Sequence, residues 1–239
     1  MSVVSPDRLP TMTKNICVGA SFIVALVVAS PAIAGLFTTP LSADDAAQIK
    51  HLAVVSALGD TLHGRQIGLT AIGNKAFDAL IPEWGLDSRS AAYLQEKIVA
   101  SGKINGDVES VVASTSEQKA ILAVARAGGF DTIAALLPYQ NPHDQLLAPG
   151  PGLLRRKLPG VDKLYACNSM VMRIFRVADG KQIGYAFVDP CTKQPVAGSW
   201  HDNWNDLTEE EKSAMLEQVR SFVEQQILIA LRDVQVDVP

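Results

Sequence analysis

The chain has 239 residues, 48% of them hydrophobic, and a formal net charge of −4. That length and apolar fraction support one domain with a sizeable core. The slight acidity gives no overall electrostatic case for nucleic acid or an anionic membrane surface as a partner.

Residues 1–34 read as a secretory signal peptide. Arg8 and Lys14 form a basic n-region, Ile16 to Ser30 an uncharged h-region, and Ala32-Ile33-Ala34 an A-x-A cleavage signal that puts the mature start at Gly35. The competing reading is a permanent anchor, but an uncharged run of about 15–20 residues is short for a span, and no stable transmembrane segment remains after cleavage. Either Met1 or Met12 can initiate, since MTKNICVGASF makes a compact signal by itself. Cys17 has no small-residue lipobox before it. The expected location is periplasmic or secreted, with 35–48 a linker and 49–239 a single domain.

Phe37 to Lys50 carries a possible short helix at Ser42-Ala-Asp-Asp-Ala-Ala. Leu52 to Leu58 is apolar at nearly every position, which predicts a central strand covered on both faces. Gly59-Asp60 and the alternating Ile67, Leu69, Ala71 then predict a hairpin or a bent strand pair. Gly73 to Trp84 reads as a loop. Asp87 or Ser88 can cap a helix over 89–101, ended by Gly102. Val108 to Ala113 predicts a strand, Ser114 to Glu117 a capping box opening a helix to about Ala127, and Thr132 to Leu137 a further strand. This strand–helix alternation implies parallel pairing.

Pro138 to Gly160, rich in Pro and Gly, reads as a long irregular connection. Thr208-Glu-Glu-Glu211 is a capping box for a helix to about Arg232, with Met215, Leu216, Val219, Phe222, Val223, Ile227, Ala230 and Leu231 on one stripe. The alternating Val234, Val236 and Val238 suggest an edge strand.

With the leader removed, three cysteines become two, Cys167 and Cys191, in an oxidising compartment. Met170 to Val177 and Ile183 to Val188 flank Ala178-Asp179-Gly180, which suits a three-residue hairpin loop with Gly in the left-handed position. That register pairs Phe175 with Ile183, Arg173 with Tyr185 and Val171 with Phe187, and carried outward it sets Cys167 opposite Cys191, within bonding distance. A two-residue turn would misalign them.

Two clusters could carry chemistry. Ser56, Asp60 and His63 supply a nucleophile, an acid and a base within eight residues, without a G-x-S-x-G elbow. Ser199 to Trp204 is denser: Trp200 and Trp204 can grip a sugar or peptide, and His201 with Asp202 can ligate a metal, although the four histidines (51, 63, 143, 201) show no H-x-x-x-H or H-E-x-x-H spacing. Arg155-Arg156-Lys157 could meet an anion, but three basic residues after Gly150-Pro151-Gly152 are more often a solvated loop. There is no phosphate loop or dinucleotide fingerprint, so no cofactor and no metal is expected.

A leader, then AVVSALGD, QIGLT and Ile81-Pro82-Glu83-Trp84 before a helix, resembles a family of uncharacterised secreted bacterial proteins. More distantly, residues 50–137 resemble the TolB N-terminal-like periplasmic α/β domains. The resemblance implies a periplasmic binding or assembly role and transfers no functional residue.

These readings converge on an α/β fold (with α+β as its variant): one domain, a mixed sheet with packed helices, and a C-terminal hairpin followed by a long amphipathic helix. They favour a non-enzymatic envelope protein binding a partner protein or glycan through Trp200, His201, Asp202 and Trp204. The alternative is a small periplasmic hydrolase using Ser56/Asp60/His63 or His201/Asp202. The leader is testable directly: protein recovered from the periplasm should have the intact mass of a chain starting at Gly35, and a retained leader there would refute cleavage.

Overall fold

The computed structural model describes residues 38–142 and 146–236. The leader, the Ala34-Gly35 cleavage site, His143 and Val238 lie outside the described residues. The strands are β1 (His51–Ser56), β2 (Thr61–Ile67), β3 (Lys75–Leu80), β4 (Asp107–Ser110), β5 (Thr132–Pro138), β6 (Gly150–Leu158), β7 (Val161–Arg176) and β8 (Gln182–Phe187). The helices are α1 (Ala43–Gln48), α2 (Leu86–Ser101), α3 (Gln118–Ala127) and α4 (Glu209–Asp233). They form one mixed sheet in the order β3-β2-β6-β7-β5-β1-β4, with β8 added to β7. The fold is α/β, a single domain.

The 16-residue strand β7 joins two half-sheets. Its first half pairs antiparallel with β6, from Gly150↔Ser169 to Leu158↔Val161. Its second half pairs antiparallel with β5, from Thr132↔Arg176 to Pro138↔Met170. Parallel neighbours extend each half: β1 and then β4 beyond β5, and β2 beyond β6. The expected strand pair around Gly59-Asp60 is therefore not a hairpin. β1 and β2 never pair with each other, and the chain bends from one half-sheet into the other. β1 is covered on both faces as expected: Leu52 and Val54 enter one core cluster, Ala53 and Val55 the other.

Several boundaries differ from the sequence expectation, each for a local reason. The stretch 73–84 holds the edge strand β3, paired antiparallel with β2. Its exposed Lys75, Ala76, Asp78 and Leu80 hide the alternation that a half-buried strand would show. The supposedly irregular 138–160 contains β6. Pro151 is tolerated there because Asn168 opposite it sends its N–H to Pro190 instead, and the ladder to β2 begins only at Gly152. The 114–117 capping box does not form: α3 starts after Glu117, which makes no side-chain cap, and the Thr115 hydroxyl accepts the Glu117 N–H in a local turn. The short helix expected in the 35–48 segment is present as α1, capped by Ser42, and the same segment buries Leu41 and Ala46 in the core.

The tail is not an edge strand in its described part. Gln235 takes φ 62°, with Gln235 N–H bonded to Arg232 O and Val236 N–H to Leu231 O. That is a Schellman cap, and it turns Val234 and Val236 into the core.

The hairpin of β7 and β8 has a turn one residue longer than expected. Arg176 and Lys181 close it, and Gly180 sits at φ +69°. Phe175 consequently faces Gln182 rather than Ile183, and a bulge absorbs the extra residue, so Arg173 still faces Tyr185 and Val171 faces Phe187. Cys167 comes opposite Cys191 and the two form a disulfide.

α2 and α4 cover one face of the sheet and α3 the other. The α4 capping box at Thr208 and Glu211 is present. Its buried stripe matches the expected one, except that Leu216 is only partly buried and Gln226 is fully buried. Gln226 donates to the Asn168 and Asp189 carbonyls and accepts from the Asn168 amide, which ties α4 to the middle of β7 beside the disulfide. Phe222→Ala should cost about 3–5 kcal/mol in chemical denaturation, because it empties a site between α4 and the sheet; an unchanged midpoint would show that the stripe is not core.

A candidate ligand cleft beside the Trp200 loop

At the β2–β3 end of the sheet lies an open cleft of about 710 Å³. Gln66, Lys75, Arg155, Lys157, Trp200, His201, Asp202 and Asp206 line it. The floor follows from register. Gln66 of β2 lies beside Arg155 of β6, and both side chains share a face. The Arg155 guanidinium donates to Gln66 Oε1 at 3.0 Å and to both Asp162 oxygens at 2.7 and 2.6 Å. Gln66, itself buried, donates onward to the Gly73 carbonyl at 2.9 Å. One chain of hydrogen bonds thus runs from β7 through β6 and β2 to the β2–β3 loop. The bond from Arg155 holds the Asp162 carboxyl below the usual range.

The wall is the loop before α4. Gln218 of α4 grips its start, accepting the Ala197 N–H and donating to the Ala197 carbonyl. Trp200 is half-buried, with its ring centroid 5.2 Å from that of Phe77. Phe77 lies across Gly64 of β2, where a Cβ would sit 2.2 Å from the ring. The Trp200 indole N–H donates to Asp202, which also meets Lys75, and these two donors hold the Asp202 carboxyl below the usual range, Lys75 contributing most.

Of the four residues singled out in the loop, Trp200, His201 and Asp202 line the cleft. Trp204 does not. It is 8% exposed and packs 6.2 Å from Phe77 in the core. Among the described residues, no group of three or more His, Cys, Asp or Glu side chains is placed to hold a metal. Sequence reading missed Gln66, Lys75, Asp206 and the cleft role of Arg155, because their meeting depends on strand register.

The Ser56, Asp60 and His63 set is not assembled. The Ser56 hydroxyl donates to Asp87 at 2.7 Å, while His63 Nδ1 meets Asp78 at 2.8 Å on the neighbouring strand. Asp87, expected as a helix cap, instead accepts the Leu58 and Gly59 N–H groups at 2.7 and 3.1 Å and clamps the bend between β1 and β2. Ser56, Asp60 and Asp87 share a smaller cleft of about 350 Å³ with no histidine in it. Burial, then the nearby Asp87 and Glu83 charges, raise the Asp60 carboxyl above its ordinary 3.8.

No family model and no curated protein matches the chain. Among solved structures, a PelC dodecamer from Paraburkholderia phytofirmans is 13% identical, covering 83% of this chain and 94% of that one at a TM-score of 0.37. A Xanthomonas campestris protein of the DUF330 family is 9% identical, covering 78% and 84% at a TM-score of 0.35. Likeness at this level carries no argument about function.

Asp60 gives a pH test. Its charge is disfavoured in the folded state, so it lowers stability once ionised. Asp60→Asn should therefore raise the unfolding midpoint at pH 7, and the gain should fade as pH falls through the raised carboxyl value and vanish below 3.8, where both states are protonated. A gain that persists at low pH would refute the electrostatic cause.

Proposed function

We infer that this protein is an exported, non-enzymatic binding module of the bacterial envelope, and that its cleft holds a glycan. One observation carries the reading: a half-buried Trp200 ring beside a rigid floor of hydrogen-bonding groups, Gln66, Arg155, Lys75 and Asp202. Sugars present C–H faces that suit an indole, and hydroxyls that suit amide, guanidinium and carboxylate groups fixed in place. The floor is held by its own hydrogen bonds, so little ordering cost falls on binding.

Export rests on the leader and its A-x-A signal, and the disulfide suits an oxidising compartment. The likeness of 50–137 to TolB-type domains points the same way. No helix among the described residues is long and apolar enough to cross a membrane. The hydrolase alternative gains nothing from its Ser56/Asp60/His63 form, since Ser56 and His63 are hydrogen-bonded to different carboxylates, and in its His201/Asp202 form the Asp202 carboxylate is engaged by Lys75 and the Trp200 indole.

Calorimetric titration against soluble peptidoglycan fragments and surface polysaccharides tests this. Trp200→Ala should weaken binding at least about tenfold, the scale of losing one aromatic contact at the centre of a site. Trp204→Ala should instead lower stability. If no glycan binds, or if Trp200→Ala binds like the wild type, the cleft is not a glycan site; capture of a partner protein dependent on Trp200 would favour the protein-binding form.

A further inference from the structure

We propose that the end of the sheet carrying the β2–β3 loop and the β6–β7 turn is a docking surface for an anionic lipid bilayer. β2 and β6 run parallel with Ile67 beside Arg156, so the loop after β2 and the turn after β6 emerge side by side. Both tips are apolar and open to solvent. Leu69 is 72% and Ile72 96% exposed in the first, and Leu158 is 40% and Val161 38% exposed in the second. Four solvent-facing aliphatic side chains thus sit on two neighbouring tips, more than the scattered single residues that ordinary surfaces carry.

The tips are built to hold these side chains outward. In the first, the Gly68 N–H donates to Asn74 and the Gly73 carbonyl accepts from Gln66, and the backbones of Gly68 and Gly73 approach so closely that a Cβ on Gly68 would lie 2.8 Å from Gly73 Cα. In the second, Leu158 and Val161 form the last cross-strand pair around Pro159-Gly160, with Gly160 at φ +75°. Proline followed by a left-handed glycine is the signature of a type II turn. A rigid apolar tip loses little conformational entropy on insertion.

A basic collar stands directly behind the tips. The segment Arg155 to Lys163 holds Arg155, Arg156, Lys157 and Lys163 against one acid, Asp162, and that acid is committed to Arg155. Lys75 meets Asp202 alongside, and Asp206 lies on the cleft wall. Arg156, Lys157 and Lys163 are exposed, whereas the chain as a whole carries −4. Apolar side chains at a tip with cations one layer behind match the order of acyl boundary and anionic headgroup in a bilayer. A soluble polyanion would engage the collar but give the exposed aliphatic groups nothing to bury against.

The surface borders the cleft of the glycan reading, and Leu69, Lys75, Arg155 and Lys157 belong to both, but Ile72, Leu158, Val161, Arg156 and Lys163 do not line the cleft, so substitutions there separate the two. The test is cosedimentation of protein purified from an exporting bacterial host with phosphatidylcholine vesicles, with and without phosphatidylglycerol, at low and high salt. Binding should require phosphatidylglycerol and weaken with salt. Ile72→Ser combined with Val161→Ser should lose about tenfold, with an unchanged melting temperature, and Arg156→Glu with Lys163→Glu should lose at least as much. Trp200→Ala should bind vesicles like the wild type. The proposal is overturned if phosphatidylglycerol vesicles recover no protein or if the serine variant binds undiminished. Loss in Trp200→Ala but not in the serine variant would likewise overturn it, assigning the binding to the cleft.

Discussion

The fold depends on one strand carrying two half-sheets. β7 gives its first half to β6 and its second half to β5, and the hydrogen bonding between the halves passes through it. The chain passes from the β1–β5 half to the β2–β6 half twice, once from β1 to β2 and once from β5 to β6, and returns between them from β3 to β4 through α2. Each crossing is a point where backbone groups leave one ladder before joining the next, and such groups need other partners. Asp87 supplies them at the first crossing through the Leu58 and Gly59 N–H groups. At the second, Tyr139 N–H bonds to Ser169 O and the Ser169 hydroxyl to the Tyr139 carbonyl.

That arrangement has a functional consequence. Helices α2, α3 and α4 are concentrated over β1, β5 and the second half of β7, where both faces are buried. The other half, built from β2, β3 and β6, reaches past them, and its far end is free to form loops. The cleft, the Trp200 loop and the two apolar tips all lie there. A rigid core at one end and an exposed sheet end at the other is how α/β scaffolds present binding surfaces without compromising packing.

The disulfide and the buried amide pair secure the strand that joins them. Cys167 is followed directly by Asn168, whose side chain and carbonyl meet Gln226 of α4. Covalent and hydrogen-bond restraint thus converge where β7 passes from β6 to β5, the place where splaying of the halves would begin. Gln226 is satisfied by three bonds, while the buried Asn168 Oδ1 has no hydrogen-bond partner among the described residues, so the pair restrains the strand at the cost of one unpaired acceptor.

The sequence by itself determined the pieces whose signals are local. Apolar continuity marked β1 as central, a 3.6-residue stripe marked α4, and the Gly-containing turn pointed to Cys167 opposite Cys191, a pairing the structure keeps because a bulge offsets the longer turn. It also pointed to Trp200, His201 and Asp202. Tertiary structure alone decided which strands are neighbours. Nothing in 150–158 announces a strand, since its glycines and Pro151 are tolerated only because of how β2 and Asn168 meet it. Nothing in residue order brings Gln66 to Arg155, or Ile72 beside Val161. Net charge hid the basic collar for the same reason: it sums over the chain, while a surface is made by strands from distant parts of it lying side by side.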